Sequence, residues 1–299
     1  MSPAGQAGPH PVQVESEWQV PFAGGVGPEF LRSRAAQDQT GNRARLKECR
    51  KRMEPLQEAL YASKQYSVLC IFQALDAAGK DGTIRRVFKG LNPTGLRVAS
   101  FKRPTPVELQ HDFLWRTTLD LPRDGEIGIF NRSYYEEVLT VQVHPEFLEG
   151  QYPAGVPDPD RLWPARYRAI REHERHLAMA NTIVLKFWLQ VSVEEQSRRF
   201  LDRITEADKR WKFSAHDVAE AGFREAYDEA VLRMLNETSR AWAPWFVIPA
   251  DDKPYMRLQV ADILHQALAS LHLPYPQPDV HEDREMEEFA KQLRARLPH

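Results

Sequence analysis

Cysteine is scarce in this chain, with two residues, Cys49 and Cys70, among 299. That excludes a disulfide framework, and Cys70, inside an apolar run, is expected to be a small buried side chain. Long apolar runs are missing too. No stretch reaches the roughly 20 residues that span a bilayer, and the amino terminus MSPAGQAGPHPVQ lacks the basic and apolar regions of a signal peptide. A cytoplasmic location with no membrane contact is expected. Nor does one sign of charge dominate: a formal net charge of −2 argues against a generic nucleic-acid binder. Internal repeats, zinc-spaced Cys/His sets and a G-x-S-x-G elbow are also absent. With 42% hydrophobic and 27% charged residues, the composition is that of a globular protein, long enough for one large α/β domain and short for two.

What is present begins at residues 68–83, VLCIFQALDAAGKDGT. A β-branched run feeds a small-residue loop that closes on Gly79-Lys80 and opens a helix, so successive N–H groups point at one spot beside a helix N-terminus. Lys80 adds a point charge for phosphoryl oxygens. The loop departs from G-x-x-x-x-G-K-[ST] at both ends, because Ala74 replaces the first glycine and Asp81 the hydroxyl residue, with Thr83 two positions late. A plain strand-to-helix connector is the competing reading. Residues 126–137, EIGIFNRSYYEE, form a second strand ending in Asn131-Arg132, where open α/β sheets place ligand-binding groups. An arginine there can steady a migrating phosphoryl group. Ser133 and Glu136 also match a helix capping box.

Two basic runs bracket these motifs. Residues 80–103 hold seven basic side chains against one acid, and residues 198–212 hold six against three. Single runs of this kind are usually solvated faces, but two flanking a phosphate loop suit a long polyanion, because a groove of one sign concentrates the other.

Strand-like segments at 68–74, 96–101, 126–131, 183–189 and 245–249 alternate with helical stretches, which predicts a parallel sheet with helices on both faces. A helix is predicted over 43–61. Residues 1–28 read as a flexible tail with contacts around Trp18 and Phe22, 29–275 as the catalytic domain, and 276–299 as a charged helix or tail. Residues 193–218 read as a lid carrying Arg199 and Arg203 on one helical face, with a solvated helical hairpin as the alternative. The segment His173-Glu-Arg-His176 lacks metal-binding spacing and reads as an exposed charged face. Trp242, Trp245 and Phe246 read as packing rather than as a stacking platform.

The motifs Ala74–Gly82, Phe101-Lys-Arg-Pro104 with Glu108 and Leu114-Trp-Arg116, Gly128–Ser133, Arg199–Arg203 with Lys209–Lys212, and Trp242–Trp245 with Ile248–Lys253 occur in this order. Together they resemble the family-2 polyphosphate kinases from about residue 30 to about 275. The resemblance implies a three-layer α/β/α P-loop kinase-like fold with about five parallel strands and a helical lid. It also implies Mg²⁺ or Mn²⁺ dependence and transfer of a terminal phosphate between polyphosphate and purine nucleotides by a dimer or tetramer. Asn131 stands where the family commonly has Asp, as in the class-III subgroup acting on both mono- and diphosphates.

The expected catalytic residues are Asp76, Lys80, Arg132, Arg199 and Arg203, with Asp76 on the metal. Ala77, Ala78, Gly79, Asp81, Gly82 and Thr83 join Lys80 around phosphate. Lys102, Arg103, Lys209, Arg210 and Lys212 are expected along the polyanion. Asn131, Arg132, Glu136 and Glu137 are expected at the nucleotide. Two other functions fit the residues: a kinase drawing on ATP in the manner of thymidylate kinases, and a silent nucleotide-binding module.

Overall fold

The computed structural model describes residues 11–32 and 40–297. Strands β1 (Ser67–Gln73), β2 (Leu96–Ser100), β3 (Ile127–Asn131), β4 (Thr182–Gln190) and β5 (Trp245–Pro249) form one parallel sheet in the order β2-β3-β1-β4-β5. All five lie within a residue of the segments that the apolar runs predict. β1 sits in the middle and is buried along its whole length, which explains its unbroken apolar composition: Val68, Cys70 and Phe72 enter one core and Leu69 and Ile71 the other.

The helices are α1 (Asn42–Ser63), α2 (Lys80–Val87), α3 (Trp115–Thr118), α4 (Thr140–Val143), α5 (Pro159–Met179), α6 (Val193–Thr205), α7 (Ala215–Glu220), α8 (Arg224–Thr238), α9 (Lys253–Ala269) and α10 (Val280–Arg294). Helices α1, α2 and α9 pack on one face of the sheet, and α5 and α8 on the other. The layers are therefore α/β/α. Helix α9 starts where Asp252 caps it by accepting from Tyr255 N–H, with a proline in its first turn. Helices α6 and α7 lie by the carboxyl edge of the sheet, where Gln196 donates to the Asp76 carbonyl and Asp217 lines a cavity with Asp76.

Two expectations need correction. Residues 11–31 are more than a tail: Val12 N–H donates to the Ala241 carbonyl, Val20 N–H to Trp245, and Val247 N–H to Trp18. Trp18 and Val20 are buried, so this stretch straps the exposed edge of β5, meeting it in an antiparallel bridge at Gln19 and Phe246. Residues 1–10 lie outside the described residues. In the His173–His176 segment Arg175 and His176 are exposed as expected, but Glu174 is not part of that face: it is fully buried and pairs with Lys186 of β4 at 2.6 Å. Trp245 and Phe246 are fully buried, as packing requires.

Candidate active site at the ends of β1 and β3

β1 and β3 are hydrogen-bonded neighbours, with Phe72 beside Asn131, so the loops that leave them meet. The β1 loop turns through left-handed backbone at Ala77 (φ 63°) and Gly79 (φ 104°), and Gly79 caps α2. A Cβ at position 79 would be strained by the backbone alone. Lys80 folds back so that Nζ donates to the Ala74 carbonyl at 2.8 Å. Burial pulls its pKa down to about 8, with Arg132 adding to the effect and Asp76 and Glu136 opposing it.

Arg132, also left-handed at φ 63°, is fixed between two carboxylates. It donates to Asp76 Oδ1 at 2.7 Å and to Glu136 Oε2 at 2.9 Å. Glu136 accepts further bonds from Gln73 and Thr140. Burial alone would raise the Glu136 carboxyl, but Arg132 and these donors outweigh it and hold it below the usual range. Asn131 donates from Nδ2 to Asp81 Oδ1 at 2.7 Å, while its own Oδ1 is buried without a partner. Asp76, Arg132 and Glu136 line a cavity of ≈ 30 Å³ together with Asp217 and Glu220 of α7, Arg224 and Tyr227 of α8, and Gln196 of α6.

Several expected residues lie elsewhere. Thr83 is fully buried and spends its hydroxyl on the Gly79 carbonyl. Arg199 is a buried clamp: it donates to the Ala77, Ala78, Ala250 and Asp251 carbonyls and pairs with Glu195. It thereby ties α6 to the phosphate loop and to the end of β5. Arg203 pairs with Asp217 at 2.9 Å and joins α6 to α7. Lys209 pairs with Glu206 and Asp202, Arg210 donates to the Ile204 carbonyl, and Lys212 lies over the exposed Trp211 ring. Lys102 and Arg103 are exposed on the far side of β3.

Glu137 turns away from its neighbour Glu136. It is buried, accepts from Gln151 at 2.7 Å and pairs with Arg166, and burial raises its carboxyl against the pull of Arg166. It lines a second cavity of ≈ 190 Å³ with Leu109, Phe113, Arg116, Tyr152 and Arg166. The turn Tyr134–Val138 thus separates two cavities, with Glu136 facing one and Glu137 the other. Reasoning from sequence missed Gln73, Gln196, Asp217, Glu220, Tyr227, Phe113 and Arg166. Gln73 ends the strand of the 68–83 motif and Gln196 and Asp217 lie within 193–218, but none carries a motif of its own, and the others come from distant segments; only the adjacency of Glu136 and Glu137 hinted at two sides.

A glycine-capped phosphate loop with a buried lysine, facing an arginine braced by carboxylates, defines a P-loop phosphotransferase of the kinase type. Residues 36–274 match the Polyphosphate kinase 2 family, and the chain belongs to that family. It is 49% identical over 243 residues to an ADP-polyphosphate phosphotransferase of Rhodopseudomonas palustris, covering 81% of this chain and 84% of the relative. It is 47% identical to an AMP/ADP-polyphosphate phosphotransferase of Meiothermus ruber, covering 77% and 82%. The crystal structure of Polyphosphate Kinase 2 from Arthrobacter aurescens superposes with a TM-score of 0.80 at 33% identity, covering 94% of this chain and 99% of that one. The protein is a polyphosphate kinase that moves phosphate between polyphosphate and nucleotides.

Proposed function

We propose that the chain phosphorylates both nucleoside mono- and diphosphates from polyphosphate with Mg²⁺, as a cytoplasmic homo-oligomer. The observation that carries the acceptor range is the Asn131–Asp81 hydrogen bond. An aspartate at position 131 would set two carboxylates in contact, whereas the amide leaves one negative charge there, and acceptors differing in phosphate charge are then met by similar fields.

The donor set fits a hard cation. Among the described residues no cluster of three or more His, Cys, Asp or Glu side chains could hold a metal by itself, and Mg²⁺ ordinarily takes one or two carboxylates plus substrate phosphates and water. Asp76 would supply the carboxylate, and the unpartnered Asn131 Oδ1 would accept from a metal-bound water. Such an ion would neutralise phosphate charge.

In the transfer itself, an oxygen of the acceptor's terminal phosphate attacks the terminal phosphorus of polyphosphate. The P–O–P bridge breaks, and the shortened polyphosphate leaves with the electron pair. Lys80 and the N–H groups of the loop 77–82 hold the phosphates, and Arg132, pre-aligned by Asp76 and Glu136, stabilises the charge that spreads over the transferred group. Lys209, Arg210 and Lys212 would hold the distal polyphosphate, and the nucleoside would occupy the ≈ 190 Å³ cavity. Aromatic walls with a few convergent polar groups suit a base, and Arg166 Nε is buried there without a partner.

The test is initial rates with AMP and with ADP, polyphosphate as donor, for the native chain and Asn131→Asp. Both acceptors should turn over, and the variant should change their ratio about five- to thirtyfold, roughly 1–2 kcal/mol for one charge at a partly solvated site. Product formed only from a nucleoside triphosphate donor would overturn the polyphosphate reading; an unchanged ratio would overturn the role of Asn131.

A further inference from the structure

Helix α10 runs free of the α/β core. Every residue described from His281 to Leu297 is exposed except the half-buried Ala290, although Asp279 and Glu282 form a complete capping box at its start. Met286, Phe289, Leu293 and Leu297 are each more than half exposed. Met286, Phe289, Ala290 and Leu293 follow helical spacing and make one apolar stripe, which Leu297 extends into the turn after the helix. A 15-residue helix is marginal in water without a partner for such a stripe.

The charges select the partner. Residues 279–288 contain six acids, whereas from 289 onward the chain has none and carries Lys291, Arg294 and Arg296. Two copies in antiparallel register, with Phe289 of one against Ala290 of the other, bring Met286 against Leu293. In that register Arg294 falls level with Asp283 and Glu287 along one flank of the stripe, and Arg296 with Glu285 along the other. Because the two-fold axis repeats each contact, every pairing occurs twice. A parallel register would set acid against acid and base against base.

We propose that α10 is a self-association element, pairing antiparallel with α10 of a second copy. The inference is independent of the catalytic reading. The paired area is on the order of 1,000 Å², at the low end of specific interfaces, so flanking charges can decide the association.

The test uses two full-length variants followed by sedimentation equilibrium: one carrying Arg294→Glu and Arg296→Glu, the other Asp283→Lys, Glu285→Lys and Glu287→Lys. Alone, each should dissociate at least about tenfold more readily than the native chain, since like charges then face each other across the pair. Mixed in equal amounts, they should associate as tightly as the native chain, because every flank is again matched. Leu293→Asp should also weaken the native assembly. Three results would overturn the proposal: a native chain that is monomeric at every concentration measured, as when α10 folds back on its own body; variants that associate undiminished; or a mixture no tighter than its components.

Discussion

Two clusters of buried charge lie on opposite sides of the turn after β3, and they are built on different plans. In the first, Lys186 donates to Glu174, Tyr135 and the Thr238 carbonyl, and Glu174 accepts from both Tyr134 and Tyr135. Neither charged side chain has any exposure. In the second, Arg132 and Asp76 remain about one-third and one-quarter exposed, and polar atoms of Asn131 and Gln73 are buried without partners. A sealed and satisfied network is a structural device. An open one with unmatched acceptors is a place kept for a ligand.

Breaking each cluster should therefore damage a different property. Glu174→Ala strands the Lys186 ammonium in the core, which should cost about 3–5 kcal/mol in urea unfolding while turnover per folded molecule changes little. Replacing the pair together, Glu174→Leu with Lys186→Met, should recover most of that loss. Arg132→Gln should do the reverse, lowering turnover at least about a hundredfold, roughly 2.7 kcal/mol of transition-state stabilisation, with about 1 kcal/mol or less lost from unfolding. A folded Glu174→Ala enzyme with turnover down a hundredfold would erase the contrast, and would mean that the Tyr134-Tyr135 pair aims Arg132 through the sealed cluster.

A smaller effect sharpens the open cluster through pH. Lys80 is brought down to about 8, first by burial and then by Arg132. A base with a depressed pKa loses its charge sooner as pH rises, so kcat/KM for polyphosphate, which reports the free enzyme, should fall through a limb near pH 8. Once the polyanion is bound, its charge favours the protonated lysine, and the limb in kcat should lie higher. A kcat/KM profile flat to about pH 9.5 would show that Asp76 and Glu136 keep Lys80 charged against burial.

The two clusters also show what a sequence discloses. Four of the five strands could be read because each is a short apolar run bounded by turns, and burial on both faces enforces that composition; the edge strand β2, with Val98 and Ser100 exposed, could be read from its place in the alternation of strands and helices. The phosphate loop and Asn131-Arg132 could be read because local backbone geometry dictates them. Glu174 could not: in HERH a carboxylate that serves the core looks like one that faces water, and only its pairing with Lys186, twelve residues away on a strand, reveals the difference. Arg199 and Arg203 share a helical face and a charge, yet one holds loop carbonyls and the other a neighbouring helix. A periodicity argument finds the face but not what lies against it. Of the strap at 11–31 only contacts around Trp18 and Phe22 are expected from sequence, and the one at Trp18 is met; the rest was hidden for another reason, since its Pro and Gly content matches that of a tail while its attachment depends on the bare edge of β5.

Arg203 provides the finest test of the comparison, because its placement has two consequences that can be separated. Its bond to Asp217 holds α7, and Asp217 lines the cavity beside Asp76 and Arg132. If Arg203 acts by placing α7, then Arg203→Ala and Asp217→Ala should each lower turnover about tenfold, roughly 1.4 kcal/mol, and the double variant should be little worse than either. If Arg203 instead swings to the phosphate during turnover, Asp217 only competes for it. Asp217→Ala would then leave turnover intact or raise it, and Arg203→Ala would cost the same in either background. Rates for the four proteins at saturating ADP and polyphosphate decide between a positioning arginine and a catalytic one.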